Sequence, residues 1–295
     1  MGLTNCNVIT DAHGRERSQG TALFPAACYQ DDLSLTSIPW HWHDELECIL
    51  VVRGTAEVEL ERERFSLSTG EGLLLPSGML HALPLSNAIL RSIVFHSRLI
   101  GGQESIFWQR EVRQCCSRVR MTPDISWQRE WMDSIGQAWL AITHEMDEYE
   151  NIARYYLTRA LHLVSSNMPG RAVRTEKRDT EETVRLKVML QYIGDHLAES
   201  ISLSQIAASA ALSESSCLRC FKKGIGTTPG QLLRQMRIER ACELLRNSDS
   251  TSGEIGAACG FTDESYFIRT FRALRGMTPG EYREKETKRS AISRE

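Results

Sequence analysis

His41-Trp42-His43 is followed by Glu47 and, later in the chain, by His81. Written as spacing, H-x-H-x3-E-x6-G runs to Gly54, and G-x5-P-x-G-x2-H runs from Gly70 through Pro76 and Gly78 to His81. Three imidazoles and one carboxylate suit Fe, Mn, Ni or Zn in an open site. Side chains alternate on a strand, so His41, His43 and Glu47 share one parity and can face one interior. A later strand is expected to bring His81 opposite. The same four groups can equally line a polar pocket for a small organic effector, and both readings stay open. His13, His96, His144, His162 and His196 have no partners at ligand spacing.

A second chemistry lies in an internal repeat. Phe221 matches Phe271, Arg219 matches Arg269, and Thr228-Pro229-Gly230 matches Thr278-Pro279-Gly280, each 50 residues apart. Each copy reads as helix, tight turn, helix. Ser202 and Gln205 form a capping-box pattern before Ile206, and Thr251 and Glu254 form another before Ile255. In the second helix of the first copy, Cys217, Cys220, Phe221 and Gly224 share a face. Ser215, Leu218, Arg219 and Lys222 share another. In the second copy Phe267, Thr270, Phe271 and Leu274 oppose Ser265, Ile268, Arg269 and Arg272, with Glu264 at the helix start. A buried aromatic stripe backed by a cationic one is what a major-groove reader needs. Arg219 and Arg269 can each donate two hydrogen bonds to a guanine edge. Lys222, Lys223 and Arg272 are expected on phosphates, which position without reading sequence.

The elements that must position these groups follow from patterning. From about Thr21 to Phe95 the chain reads as short strands punctuated by Gly54, Gly70, Gly72 and Gly78, which predicts a sandwich or barrel. Ala56-Glu57-Val58-Glu59-Leu60-Glu61 alternates apolar and acidic, one face to a core and the other to water. From about Gln103 to Met168 the spacing is helical. Trp131, Ile135, Ala138, Trp139 and Ile142 form one stripe, and Ile152, Tyr155, Tyr156, Arg159 and Leu163 form the next. Such a hairpin covers the barrel or meets a second subunit. Pro169 to Thr180 is a linker by composition, and helix resumes to about Lys285.

Bulk properties narrow the class. The 295 residues suit about two domains, with 41% apolar and 25% charged residues, as in globular chains. The net charge of −3 hides an asymmetry: −7 over residues 1–170 and +4 over residues 171–295. The second part therefore approaches a polyanion more readily. The nine cysteines are an odd and scattered set: Cys6, Cys28, Cys48, Cys115, Cys116, Cys217, Cys220, Cys242 and Cys259. They read as reduced packing residues, the Cys217/Cys220 pair included. Met1 to Thr10 lacks the pattern of a signal peptide and no stretch is apolar enough to span a membrane, so a cytoplasmic location is expected.

The segment from about Val184 to Arg283 resembles the DNA-binding domain of the AraC/XylS family of transcription regulators. The resemblance rests on Tyr192-Ile193, Ile206-Ala207, Arg219, Phe221-Lys222-Lys223, Arg237, Leu244-Leu245, Gly260-Phe261, Ser265-Tyr266-Phe267, Arg269, Phe271 and Thr278-Pro279. It implies two helix-turn-helix units joined by a long helix of about Gly230 to Asn247, with recognition helices in successive major-groove segments. Ser216, Gly256 and Leu232 depart from the pattern, and softer packing is expected around them. The two N-terminal motifs resemble those of the cupin β-barrel, with Leu85 where an asparagine often closes the second. In cupin enzymes these four positions hold a catalytic metal, whereas AraC-type sensor domains use a similar barrel to hold an effector.

The expected architecture is therefore α+β in two domains. Residues 1–100 form a cupin-like effector-sensing β-barrel and 101–168 a helical hairpin able to dimerise. A linker spans 169–180, the double helix-turn-helix domain 181–285, and a tail 286–295. Its expected partners are double-stranded promoter DNA, a small-molecule effector, a second copy of the chain and RNA polymerase, with no membrane and no catalysis. Two other readings are a metal-dependent cupin enzyme fused to a DNA-binding domain, and a nonspecific nucleic-acid scaffold.

Overall fold

Residue parity along one long strand organises the first unit of the computed structural model. The structure describes residues 24–101, 118–168 and 180–292, with backbone alone for 288–292. The chain divides into two compact units at Thr180/Glu181. The expected linker residues 169–179 lie outside the described residues, as do Cys6, Cys115, Cys116 and His13.

The first unit contains β1 (Ala26–Asp32), β2 (Ile38–His41), β3 (Leu46–Leu60), β4 (Glu63–Ser68), β5 (Gly72–Leu75), β6 (His81–Leu83) and β7 (Asn87–Phe95). They are followed by β8 (Val119–Met121), α1 (Ser126–Thr143) and α2 (Tyr149–Asn167). The ladder order is β1-β7-β3-β5-β8, with β4 and β6 also on β3 and β2 on β6. This path does not return to its first strand, so the sheet does not close into the barrel expected. β8 is a difference from expectation: it lies in the stretch expected to be helical from about Gln103, and it pairs with β5.

β3 serves both ends of the sheet because it breaks register between Val51 and Arg53. Ile49 and Val51 face one interior cluster before the break; Ala56, Val58 and Leu60 face it afterwards. The extra residue inverts the parity that an unbroken strand would keep. Gly54 completes the bend at φ 82°, where an added Cβ would stand 1.7 Å from the Asn87 carbonyl oxygen. Only glycine fits there.

On the opposite face of the sheet, Leu46, Cys48, Leu74, Ile93 and Phe95 pack against the hairpin. The α1 stripe is the expected one, with Trp131, Ile135, Ala138, Trp139 and Ile142 buried. In α2 the buried stripe is Ala153, Leu157, Ala160, Leu161 and Val164. The stripe expected there flanks it, and Tyr155 is 63% exposed. Both stripes have helical period, and the smaller residues win the interior because they let α2 approach α1 closely.

The second unit contains α3 (Glu181–Asp195), α4 (Leu203–Ser209), α5 (Glu214–Ile225), α6 (Pro229–Asn247), α7 (Ser252–Ala258), α8 (Glu264–Arg275) and α9 (Pro279–Ile292). α9 continues past Lys285, where a frayed tail was expected. Both expected capping boxes form, at Ser202/Gln205 and Thr251/Glu254. Two more open α6 and α9, at Thr228/Gln231 and Thr278/Glu281. α5 and α8 end alike, at Gly226 with φ 72° and Gly276 with φ 74°. These left-handed C-caps also fall 50 residues apart, so the repeat extends to backbone geometry.

Arginines tie this unit together. Arg237 on α6 donates to the carbonyls of Leu197 and Glu199, and Arg283 on α9 donates to those of Leu245 and Ser250. Each thus fastens the loop that leads into the first helix of one helix-turn-helix. Gly260 closes the two repeats on each other: at φ 82°, its added Cβ would lie 2.8–2.9 Å from backbone atoms of Leu197 and Ala198. Gly260→Ala is expected to lose about 2 kcal/mol or more, from left-handed strain and backbone overlap together. Denaturant unfolding of the full chain checks this, and an unchanged midpoint would contradict the contact. Gly256 belongs to the same economy. A Cβ there would come 2.9 Å from the Phe267 ring, so glycine admits the aromatic closely and does not soften the packing as expected.

Among the described residues no helix is long and apolar enough to cross a membrane.

Candidate nucleic-acid interface and candidate metal centre

The second helices of the two repeats sort their faces as amphipathic spacing requires. Cys217, Phe221 and Gly224 are buried on α5; Phe267 and Phe271 are buried on α8. On the other side of α5, Ser215, Leu218, Arg219, Lys222 and Lys223 are exposed. On α8, Glu264, Ser265, Arg269 and Arg272 are exposed, while Ile268 is half-buried against the core. Leu274 differs from expectation: it is 45% exposed, and Arg275 beside it turns inward to an ion pair with Glu239. The matching Gly224 is buried, and an added Cβ there would lie 2.6 Å from the Leu186 side chain of α3.

The two cationic stripes are not identical. Arg219 donates to Ser216 Oγ at 3.1 Å, Lys222 to the Gly226 carbonyl at 3.1 Å, and Lys223 pairs with Glu182 at 2.7 Å. Among the described residues Arg269 has no such partner, and Tyr266 stands where the first repeat has Ser216. Glu264 rests its carboxylate against Gly253, where an added Cβ would lie 3.2 Å away. Cys217 is buried, and burial pushes its thiol up to about 11, the behaviour of a packing residue.

In the first unit the topology gathers the four sequence-distant polar groups. His41 ends β2 and is the ladder partner of His81 at the start of β6. Glu47 enters from β3. His43 lies in the connection between β2 and β3, outside any strand, so its direction comes from the loop and not from the alternation expected. One donor atom from each of the four lies within 4.8 Å of all the others, and all four residues are buried.

Backbone carbonyls orient the imidazoles. Nδ1 of His41 donates to Pro39 at 2.8 Å, that of His43 to Glu45 at 3.0 Å, and that of His81 to Met79 at 2.8 Å. A carbonyl partner requires Nδ1 to carry the proton, which leaves Nε2 as the available donor atom on each ring. His43 Nε2 and His81 Nε2 approach the same Glu47 oxygen at 3.3 and 3.0 Å. His81 Nε2 is buried and out of alignment for a hydrogen bond. Burial and the two neighbouring imidazoles hold His41 well below the usual histidine range, so it is neutral. Burial alone would raise the Glu47 carboxyl, but the imidazoles of His43 and His81 outweigh it and keep the group well below its usual range. A carboxylate with three imidazole Nε2 atoms converging on it fits a borderline divalent ion, to which those nitrogens would bind in their unprotonated form. The carbonyl anchors escaped the sequence reading. A Pro39 or Met79 two residues before its histidine carries no distinctive signal.

Two family descriptions match the chain: "AraC-like ligand binding domain" over residues 24–88 and "Helix-turn-helix domain" over residues 206–285. The chain is 27% identical over 287 residues to the uncharacterized HTH-type transcriptional regulator YdeC of Bacillus subtilis strain 168, covering 94% of this chain and 98% of that protein. It is 24% identical over 257 residues to the HTH-type transcriptional activator RhaS of Klebsiella pneumoniae strain 342, covering 85% of this chain and 90% of that protein. Among solved structures, ToxT from Vibrio cholerae O395 aligns with a TM-score of 0.45 at 11% identity, over 89% of this chain and 98% of that one.

Proposed function

From a chain that belongs to the AraC family of DNA-binding transcription regulators, with a ligand-binding N-terminal domain, we propose that α5 and α8 read promoter DNA in response to an effector sensed at the buried His/Glu cluster. The observation that carries the DNA reading is the matched exposure of Arg219 and Arg269 over buried Phe221 and Phe271. In this reading Arg219 and Arg269 meet base edges, with Ser215, Leu218, Glu264, Ser265 and Ile268 beside them. Lys222, Lys223 and Arg272 take phosphates, and affinity falls steeply with salt through counterion release. The related proteins named above are regulators, and nothing in them supports the enzyme alternative.

His41, His43 and His81 through Nε2, and Glu47 through its carboxylate, would hold a divalent Fe, Mn, Ni or Zn ion. Such an ion would supply a Lewis-acidic centre to which a small oxygen ligand could add. The hairpin is the expected dimer surface. The outward side of α2 carries exposed Tyr155 beside Ile152 and Tyr156, and Met146 precedes it at 47% exposure. A patch of this kind marks an interaction site, and equilibrium sedimentation of the full chain tests it. A second copy would place two pairs of reading helices on one promoter, next to RNA polymerase. Activation is the outcome named for RhaS and is the reading adopted for this chain.

The deciding experiment selects bound fragments from genomic DNA with and without a chelator. A limited set of sites supports the regulator. Uniform recovery of all sequences would leave only a nonspecific scaffold.

A further inference from the structure

We propose that the ligand sensed by the N-terminal domain is a divalent transition-metal ion itself, and that its binding clasps β2 and β6 onto β3. The proposal rests on the reading of the cluster as a metal site and adds what the ion is for. The first support is charge. Among the described residues of this unit, the buried carboxyl and imidazole groups are those of Asp31, Glu45, Glu47 and the three cluster histidines, beside the thiols of Cys28 and Cys48 and the phenol of Tyr29. Among the described residues no lysine or arginine is buried with them. An interior of this sign favours a cation and offers an organic anion no counter-charge. Much of the remaining interior is filled by apolar side chains such as Leu33, Ile49, Val58, Leu67, Leu73 and Leu75, none more than 1% exposed. Imidazole donors then select Mn, Fe, Co, Ni or Zn over Mg or Ca, which prefer oxygen.

The second support is where the ligands come from. Among the described residues β2 pairs with β6 alone, at Ile38/Leu83 and His41/His81, with a break in register between them. β6 meets β3 at two pairs, Glu59/Ala82 and Leu60/His81. Few ladder bonds secure this corner. An ion on His41, His43, Glu47 and His81 would tie β2, the loop, β3 and β6 together, and would give the buried His81 Nε2 a partner.

The third support is the route outward. Glu47 points inward, while its chain neighbours Leu46 and Cys48 belong to the cluster that seats α1 and α2. Any displacement of Glu47 on loading therefore reaches the hairpin through one residue of strand. The ion biases the two arrangements only to the extent that it binds them unequally.

The test uses the full chain, stripped with a chelator, and adds MnCl2, NiCl2, ZnSO4 or MgCl2 singly. Metal content after equilibrium dialysis, thermal unfolding, hydrogen exchange and affinity for a selected genomic fragment are read together. The expected result is one transition ion per chain, a higher unfolding temperature, and slower exchange in residues 38–47 and 81–83. Exchange in α1 or α2 should also change, and DNA affinity should shift by about tenfold or more. MgCl2 should do none of this. His81→Ala and the milder Glu47→Gln should abolish the metal response, with Glu47→Gln as the control should His81→Ala unfold. Binding of one ion with no change in hairpin exchange or DNA affinity would overturn the sensing role but leave a structural metal. Absence of any bound ion would overturn the metal site itself.

Discussion

Arg269→Ala is expected to weaken binding to the selected operator by about 1–3 kcal/mol, roughly 5- to 150-fold, and to erase the preference at one base pair. Arg219→Ala should behave in the same way at a second base pair about one helical turn away. The reason is geometric. Both guanidinium groups stand exposed on the face opposite a fully buried phenylalanine, and each can offer two donors to a guanine edge. They should differ in degree. Arg219 leans on Ser216, so its fork is partly oriented before DNA arrives, whereas Arg269 must be ordered on binding. Lys222→Ala should instead lower affinity for every sequence alike and flatten the salt dependence by about 0.9 in the logarithmic slope. Fluorescence anisotropy with operator and scrambled duplexes at several salt concentrations separates these outcomes. Equal losses on both duplexes for Arg219→Ala and Arg269→Ala would remove them from base reading.

Glu239→Leu is expected to cost about 3–5 kcal/mol, because it removes the carboxylate that faces the buried Arg275 guanidinium. Arg275 has a side chain only 4% exposed and faces Glu239 across the junction of α8 and α6. Burial works against its charge, but the Glu239 carboxylate outweighs that and holds the guanidinium firmly protonated. An apolar replacement of both partners, Glu239→Leu with Arg275→Met, should recover most of the loss, since desolvating the pair offsets much of its attraction. Denaturant midpoints of the two variants decide the matter. If the single and double variants unfold together, the pair does not secure α8.

Much of the exposed cationic surface of α5 and α8 was legible because a repeat carries its own control. One arginine on an amphipathic helix is ordinary; Arg219 and Arg269 above matched phenylalanines at one spacing are not. The capping boxes at Ser202 and Thr251 were equally readable, since their chemistry is local. Those at Thr228 and Thr278 follow the same T-x-x-Q/E rule but were hidden by the Pro-Gly that reads first as a turn. Long-range ties had no local signal. Arg237 and Arg283 fasten equivalent loops from unequal places, nine residues after Thr228 and five after Thr278, so the repeat itself conceals them. In the first unit the spacing of His41, His43, Glu47 and His81 marked the cluster correctly as a group. The parity reasoning behind it applied to fewer residues than expected. His43 lies in a loop, and the register break in β3 resets alternation after Val51.

The meeting of Gly260 with the backbone at Leu197 and Ala198, reinforced by Arg237, has a consequence for the DNA partner. If α5 and α8 read DNA as proposed, this contact would hold their spacing fixed, and the protein would act as a fixed-gauge caliper. An operator lengthened by one base pair between its two contact segments would turn one of them about a tenth of a revolution out of phase. Inserting half a turn should abolish joint engagement, and only a whole added turn would restore the azimuth, by then at a separation the caliper cannot span.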